Sequence, residues 1–453
     1  MPLTKTPLLA ETVRKLVGRG ATPNAYNILS KLHPADIAEL LGELHENFRK
    51  PTFELLVQRD LSLASEALSE LGVDRGVELL LDMSSEEISK LLQELDPDDA
   101  AEFVGHLPTE LQEEILGAMR QKDAAEVQDL LQHPEQTAGR IMNPNVFSLH
   151  EDITVGEAIT RLQTMGEVEM AFYIYVVDDR NHLVGVLSLR QLLLKRPERR
   201  LKDIMVPTVI SVRTDTDQED VARLVDSYNI LAMPVVDEEN KLVGMITVDD
   251  VIDVIKEEAT EDIYRLAGLD VHERVFSSPR TSVRMRIPWL TVNLATAFLA
   301  AFVVSLFEGT IQKFAVLAVF MPIVPLLGGN AGTQTLTVMV RGMALGELSW
   351  SNSRKALLKE VLVGLVNGIA IGVLVALVAL AWKGSPVLGL ALGLAMVGNL
   401  LVAAVVGTLV PLALRALKVD PALASSVFVT TATDVFGFLF FLGLGAYFLE
   451  RFI

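Results

Sequence analysis

Apolar and polar positions follow three rhythms along this chain, and each predicts a different kind of structure. Up to about residue 135 the pattern is that of short amphipathic helices. In the middle, apolar runs bounded by acidic and glycine turns predict strands alternating with helices. From Ile287 onward come five apolar stretches long enough to cross a bilayer. They run from about Ile287 to Phe307, Phe314 to Val340, Leu357 to Trp382, Val387 to Leu417 and Ala422 to Leu449. The predicted fold class is therefore multidomain: α, then α/β, then membrane α.

Within the first region, LHPADIAELL from Leu32, LDPDDAAEFV from Leu95 and LPTELQEEIL from Leu107 each open on a Pro or acidic turn before an amphipathic helix. Such repetition predicts a superhelix of stacked helices. The middle region is duplicated. IMNPNVFSLHEDITVGEAITRL from Ile141 pairs with IMVPTVISVRTDTDQEDVARLV from Ile204. YVVDDRNHLVGVLSLRQLL from Tyr175 pairs with PVVDEENKLVGMITVDDVI from Pro234. Each copy predicts strand, helix, strand, turn, strand, helix.

Charge separates the same halves. Of 58 acidic and 39 basic residues, six and nine fall from Ile287 onward, which leaves 52 and 30 before it. The first half thus carries about −22 and the second about +3. So acidic a soluble half argues against nucleic acid and anionic lipid as its partners and favours cations. There is no cysteine, so disulfides, thiolate metal sites and thiol catalysis are excluded. All seven histidines precede Ile287, and the membrane half offers only oxygen ligands, which suit hard cations such as Mg²⁺. An intramembrane zinc protease needs histidine in a span, and a serine protease needs a base beside its nucleophile, so an enzyme is not expected. The amino terminus has no basic stretch followed by an apolar run, so no cleavable signal peptide is expected.

Asp434 is the one carboxylate between Ala422 and Leu449, near the centre of the fifth stretch. An ionisable group at that depth costs several kcal/mol and usually faces a pore or a partner. A structural Asp bonded to nearby backbone is the alternative. In SSVFVTTATD, Ser426, Thr430 and Thr431 share or adjoin its face at helical spacing, a plausible seat for a hydrated hard cation. The second stretch reads MPIVPLLGGNAGTQTLT from Met321. Pro322 and Pro325 predict a kink, Gly328 and Gly329 a loosened helix, and Asn330 with the following Thr and Gln residues supply oxygens. Pore lining and helix packing through small residues both account for this; the coincidence of kink and polar run favours pore lining. Asn367 and Asn399 are expected to make interhelical hydrogen bonds. Basic residues cluster on one side: Arg284 and Arg286, then Arg341, Arg354, Lys355 and Lys359, then Arg415 and Lys418. The positive-inside rule then predicts a cytosolic first half and an outside carboxyl terminus. The acidic run VDDVIDVIKEEATEDIYRLAGLD from Val248 joins the two halves and would attract divalent cations.

The duplicated middle resembles a pair of cystathionine-β-synthase (CBS) domains. In some members of that superfamily these bind adenine nucleotides, and Tyr173 and Arg190 stand where ATP would sit, although Gln191 replaces an acidic residue. The whole chain resembles the MgtE family of magnesium channels or transporters, most specifically in TVDDVIDVIKEEATEDI from Thr247, GGNAGTQ from Gly328, and VDPAL from Val419 followed by Asp434. The resemblance implies a helical domain over 1–137, CBS domains over 138–200 and 201–252, a connecting plug helix over 253–283 and a membrane domain over 284–453. It implies a homodimer in the cytoplasmic membrane that imports Mg²⁺, with Asp434 of each subunit facing the ion and Asn330, Ser426, Thr430 and Thr431 nearby. The same architecture would also suit Mn²⁺, Co²⁺ or Ca²⁺. It further implies Mg²⁺ sensor ligands at Glu66, Asp98 and Glu102, at Glu219 and Asp226, at Asp250 and Asp253, and at Glu258, Glu261 and Asp262. Asp420 matches a peripheral ligand of the membrane domain. Two positions depart from the pattern: Ser426 replaces an Asn near the pore mouth, and Asn229 replaces an Asp.

Overall fold

A computed structural model describes residues 6–164, 172–275, 277–423 and 425–452. It divides into two compact units, 1–255 and 256–453, with the division inside one continuous helix, Val248–Leu266.

The first unit begins with ten helices between Thr6 and Gln132. They are short because the sequence keeps stopping and restarting them. Pro34 and Pro97 sit in the first turn of their helices, where a missing N–H costs nothing. Asp60 caps Leu61–Leu71, and Ser84 with Glu87 forms a capping box on Ser85–Leu92. Apolar faces meet in one core with Leu40, Leu41, Phe53, Leu68 and Phe103, and that core continues into the second α/β repeat through Val221, Val235 and Val251.

Each repeat has a three-stranded sheet. The first is β1 (Ser148–His150), β2 (Tyr173–Val177) and β3 (Leu183–Ser188); the second is β4 (Val212–Arg213), β5 (Ala232–Val236) and β6 (Leu242–Thr247). In both, the outer pair is parallel and the hairpin antiparallel, with Tyr175 opposite Val186 and Pro234 opposite Met245. The hairpin turns hold Asn181 and Asn240, both at φ 65°, a conformation that Asn tolerates better than most residues. Their side chains cross between repeats: Asn181 donates to the Leu242 carbonyl at 3.0 Å and Asn240 to the Leu183 carbonyl at 3.4 Å. The buried Tyr175 hydroxyl donates to the Ala232 carbonyl at 2.9 Å. The duplication therefore closes on itself as a pseudo-symmetric pair.

The second unit holds the end of the connecting helix and five helices long and apolar enough to cross a membrane: Pro279–Ser305, Val316–Ala344, Ser353–Lys383, Pro386–Ala416 and Ser426–Arg451. The second span matches expectation at Pro322 and differs at its glycines. Its interruption falls at Met321–Pro322, between Val316–Phe320 and Ile323–Ala344, and Gly328 and Gly329 lie inside unbroken helix. Backbone hydrogen bonds hold that helix, and the glycines serve close approach instead. A side chain on Gly328 would collide with Asn399 and Thr433, and one on Gly332 with Val429. Small residues also let the third and fourth spans cross closely, with Gly364 and Gly372 against the Leu400 and Gly393 carbonyls.

Candidate functional site

Two places gather the chemistry-bearing residues, one in each unit. In the membrane unit, Asp434 is half-buried at mid-helix on the fifth span. The two spans lock together around it. A Cβ added to Gly329 would lie 3.8 Å from the Thr430 methyl and from Thr433 Oγ1, and one added to Gly437 would meet Pro325 and Asn399. The GGN segment and the TTATD segment thus pack against each other within about a turn of Asp434. The hydroxyls are already engaged. Thr430 donates to the Ser426 carbonyl at 2.9 Å and Thr431 to the Val427 carbonyl at 2.6 Å. Such back-bonding satisfies the hydroxyl proton and leaves oxygen lone pairs to accept from water or face a cation. Val427 is buried, whereas Ser426 is half-buried. Asn330 is exposed on this chain, as are Thr333 and Thr337 at the next helical positions on the same face.

Asn399 makes the interhelical bond expected of it. It is fully buried, and its Nδ2 donates to the Val324 carbonyl at 2.8 Å while Oδ1 has no partner. The fully buried Thr433 also belongs to this junction, and its hydroxyl donates to the Val429 carbonyl at 3.0 Å; its spacing in the sequence gives no sign of that burial.

In the first unit, two helix starts bring acids together. Pro97–Gly105 carries Asp98 and Asp99 in its first turn, and Val248–Leu266 carries Asp249 and Asp250 in its own. Positive helix ends attract carboxylates, but burial opposes their charge. Burial, then the neighbouring Asp250, Asp99 and Asp96, holds Asp98 well above the usual carboxylate range. Burial also raises Asp99, which accepts from Ser69 Oγ at 2.7 Å. Asp250 is pushed up to about 7, mainly by burial, although Thr247 hydrogen-bonds to it through backbone and hydroxyl. Asp98 Oδ1 is buried without any hydrogen-bond partner. An orphaned carboxylate oxygen beside other acids fits a hard divalent cation as the missing partner.

Asp253 is close enough to add to the rise at Asp99, and the other predicted ligands are on more exposed positions. Glu66 is exposed and accepts from Ser62 of its own helix at 3.3 Å. Glu102 is exposed one turn beyond Asp98, and Asp253 is exposed one turn beyond Asp250. Glu219 pairs with Arg223 at 3.4 Å, and Asp226 is exposed on the same helix. Asn229 ends that helix at φ 51°, a capping role that suits Asn. Among the described residues, no three acidic or histidine side chains converge on a closed metal site.

On the part of the connecting helix that belongs to the second unit, Glu258, Glu261 and Asp262 are half-buried, and burial raises Asp262 above the usual range. A cationic side chain meets two of the predicted ligands. Arg265 bridges Glu261 and Asp420, the second of which also accepts from the Ala422 N–H at 2.7 Å. The sequence reading missed Arg265; its four-residue spacing from Glu261 was the available signal. Tyr173 is half-buried at the start of β2 and Arg190 exposed just after β3. Gln191 is used structurally, capping the backbone N–H of Ser188 at 3.0 Å.

Known proteins align with this whole arrangement. A family profile described as a divalent cation transporter matches residues 321–444, that of the MgtE intracellular N domain matches 32–136, and the CBS domain matches 138–198 and 201–257. The magnesium transporter MgtE of Thermus thermophilus is 37% identical over 98% of this chain and 99% of its own length. That of Bacillus subtilis is 33% identical over 94% of each. Among solved structures, the cytosolic domain of the Mg²⁺ channel MgtE in complex with ATP aligns at TM-score 0.50 and 37% identity, covering 54% of this chain and 99% of that one. With near end-to-end similarity on both sides, the chain belongs to the MgtE family of magnesium transporters.

Proposed function

We propose that this protein carries Mg²⁺ across the cytoplasmic membrane and that Asp434 meets the ion in the path. The supporting observation is a half-buried carboxylate at mid-span, on the helix whose Thr430 and Thr433 pack against the GGN segment of the second span. A lone carboxylate flanked by hydroxyl and amide oxygens suits a cation that keeps much of its water, because Mg²⁺ dehydrates reluctantly. The name shared by its relatives favours Mg²⁺ over Mn²⁺, Co²⁺ or Ca²⁺. Transport needs no catalytic residue, and the protein is read as a transporter and not an enzyme.

Two copies complete the path in this reading. Asn330, Thr333 and Thr337 form a polar stripe left exposed on one chain. Polar groups at membrane depth need a partner or a water-filled lumen, and a twofold axis along this face supplies both. The acidic half is cytosolic and the carboxyl terminus outside, by the distribution of basic residues.

Gating follows from charge. The sensor ligands are Glu66, Asp98, Glu102, Glu219, Asp226, Asp250, Asp253, Glu258, Glu261 and Asp262, with Asp420 at the membrane domain. When Mg²⁺ is abundant it bridges these carboxylates and favours the closed arrangement by the difference in affinity between states. ATP binds the CBS pair at Tyr173 and Arg190, as a regulatory ligand. The related cytosolic domain solved with ATP supports this.

Mg²⁺ flux into liposomes holding the purified full chain tests the core of the reading. Asp434→Ala is expected to abolish it while the protein still folds. Normal flux through that variant would remove Asp434 from the path.

A further inference from the structure

A second polar site lies in the membrane unit, away from the Asp434 face. A cavity of about 170 Å³ opens between the second, third and fourth spans. Its charged end is Lys359 and Glu360 of the third span. Glu360 is only 4% exposed; Lys359 Nζ donates to its Oε1, and Thr335 Oγ1 of the second span donates to its Oε2 at 3.1 Å. The Lys359 side chain is 62% exposed, so its ammonium has capacity left.

Gln334 and Asn367 line the same cavity and are exposed. Among the described residues their carboxamides have no hydrogen-bond partner. Unpaired amides at membrane depth are costly, so the site calls for a polar occupant. From Lys359 to Asn367 the third span rises about 12 Å, so the charges sit at one end and an amide lies deeper. At the rim, Val338 and Val363 are exposed and apolar, which turns the mouth toward acyl chains. Lys359 lies about 9 Å along the helix from Ser353, past Arg354 and Lys355, at the boundary between headgroups and hydrocarbon.

These features ask for one molecule with a positive and a negative group together, acceptors a few ångströms deeper and an apolar flank. We propose that this cavity binds an aminophospholipid of the phosphatidylethanolamine type. Its phosphate takes Lys359, its ammonium takes Glu360, and its ester carbonyls accept from Gln334 and Asn367. A choline headgroup has no N–H to give Glu360. A headgroup with only negative charge meets Glu360 unfavourably. The site depends on membrane embedding and not on which ion is transported.

Native mass spectrometry of the detergent-purified full chain tests it, with phosphatidylethanolamine, phosphatidylcholine and phosphatidylglycerol of matched acyl chains as probes. The ethanolamine lipid is expected to be retained about tenfold over the choline lipid, the worth of one charge-assisted hydrogen bond. Glu360→Gln should erase that preference and admit the glycerol lipid; Lys359→Met should weaken all three. Should Glu360→Gln not fold, Asn367→Leu at the exposed, deeper end should lower ethanolamine-lipid retention while keeping the preference. Equal retention of the three lipids by the unaltered protein, or an unchanged preference in Glu360→Gln, would overturn the proposal. So would Val363→Cys, in this cysteine-free chain, cross-linking to a second copy in native membranes with no lipid retained, which would make the cavity a subunit interface.

Discussion

Asp98, Asp99 and Asp250 show how single carboxylates carry a signal. Burial raises all three, Asp250 to about 7. The folded chain therefore keeps protons that an unfolded chain sheds above about pH 4. Stability from this cluster is complete below that pH and is lost as the pH rises through about 7. A divalent cation offsets the loss because it takes the place of the protons. Without divalent cations, the melting temperature of the soluble unit should fall as the pH rises from about 4 to 7, and saturating Mg²⁺ should flatten the fall. Calorimetry in buffers of different ionisation enthalpy should register proton release on Mg²⁺ binding. A flat profile without Mg²⁺ would contradict the cluster. Asp434 belongs to this scale too: its position in the apolar run marked it from sequence, whereas the engaged hydroxyls of Thr430 and Thr431 needed coordinates.

Among the elements, the connecting helix is the most informative. It ends because Gly268 takes φ 69°, with Gly268 N–H donating to the Arg265 carbonyl and Leu269 N–H to the Tyr264 carbonyl, a left-handed helix cap. Arg265 then occupies the space between Glu261 and Asp420. In the proposed function, both acids are cation ligands and Arg265 competes with Mg²⁺. Arg265→Gln should therefore close the path at lower Mg²⁺, read as a leftward shift in flux inhibition. A rightward shift would make Arg265 only a latch on the closed form. The third and fourth spans offer a packing test. Gly372 sits against the Gly393 carbonyl, so Gly372→Leu should cost about 1–3 kcal/mol by overpacking, seen as a lowered melting temperature with the soluble unit unchanged. The second span is interrupted at Pro322, one of the two prolines expected to kink it, while its paired glycines lie in unbroken helix and admit Asn399 and Thr433.

At the scale of the molecule, charge and hydrophobicity are segregated. About −22 sits before Ile287 and five spans lie after it. An acidic soluble half resists compaction until cations neutralise it. Mg²⁺ should therefore protect the soluble half of the full chain from protease in lipid nanodiscs. Combined Asp250→Asn, Glu258→Gln and Asp262→Asn should remove that protection and leave flux open at high Mg²⁺. Protection that survives the triple change would assign gating to other residues.

Sequence alone determined the layout: the spans, the duplicated repeat, the acidic half and the lone Asp434. These are one-dimensional signals, because bilayer thickness, strand alternation and desolvation act on consecutive residues. The tertiary structure decided which distant groups meet. It set Asp98 beside Asp250, Arg265 between Glu261 and Asp420, Asn399 against Val324, and Glu360 under Thr335. Spacing along a chain carries no record of such encounters. They arise when separate helices pack, and only packing decides which buried charge finds a partner and which is left to a ligand.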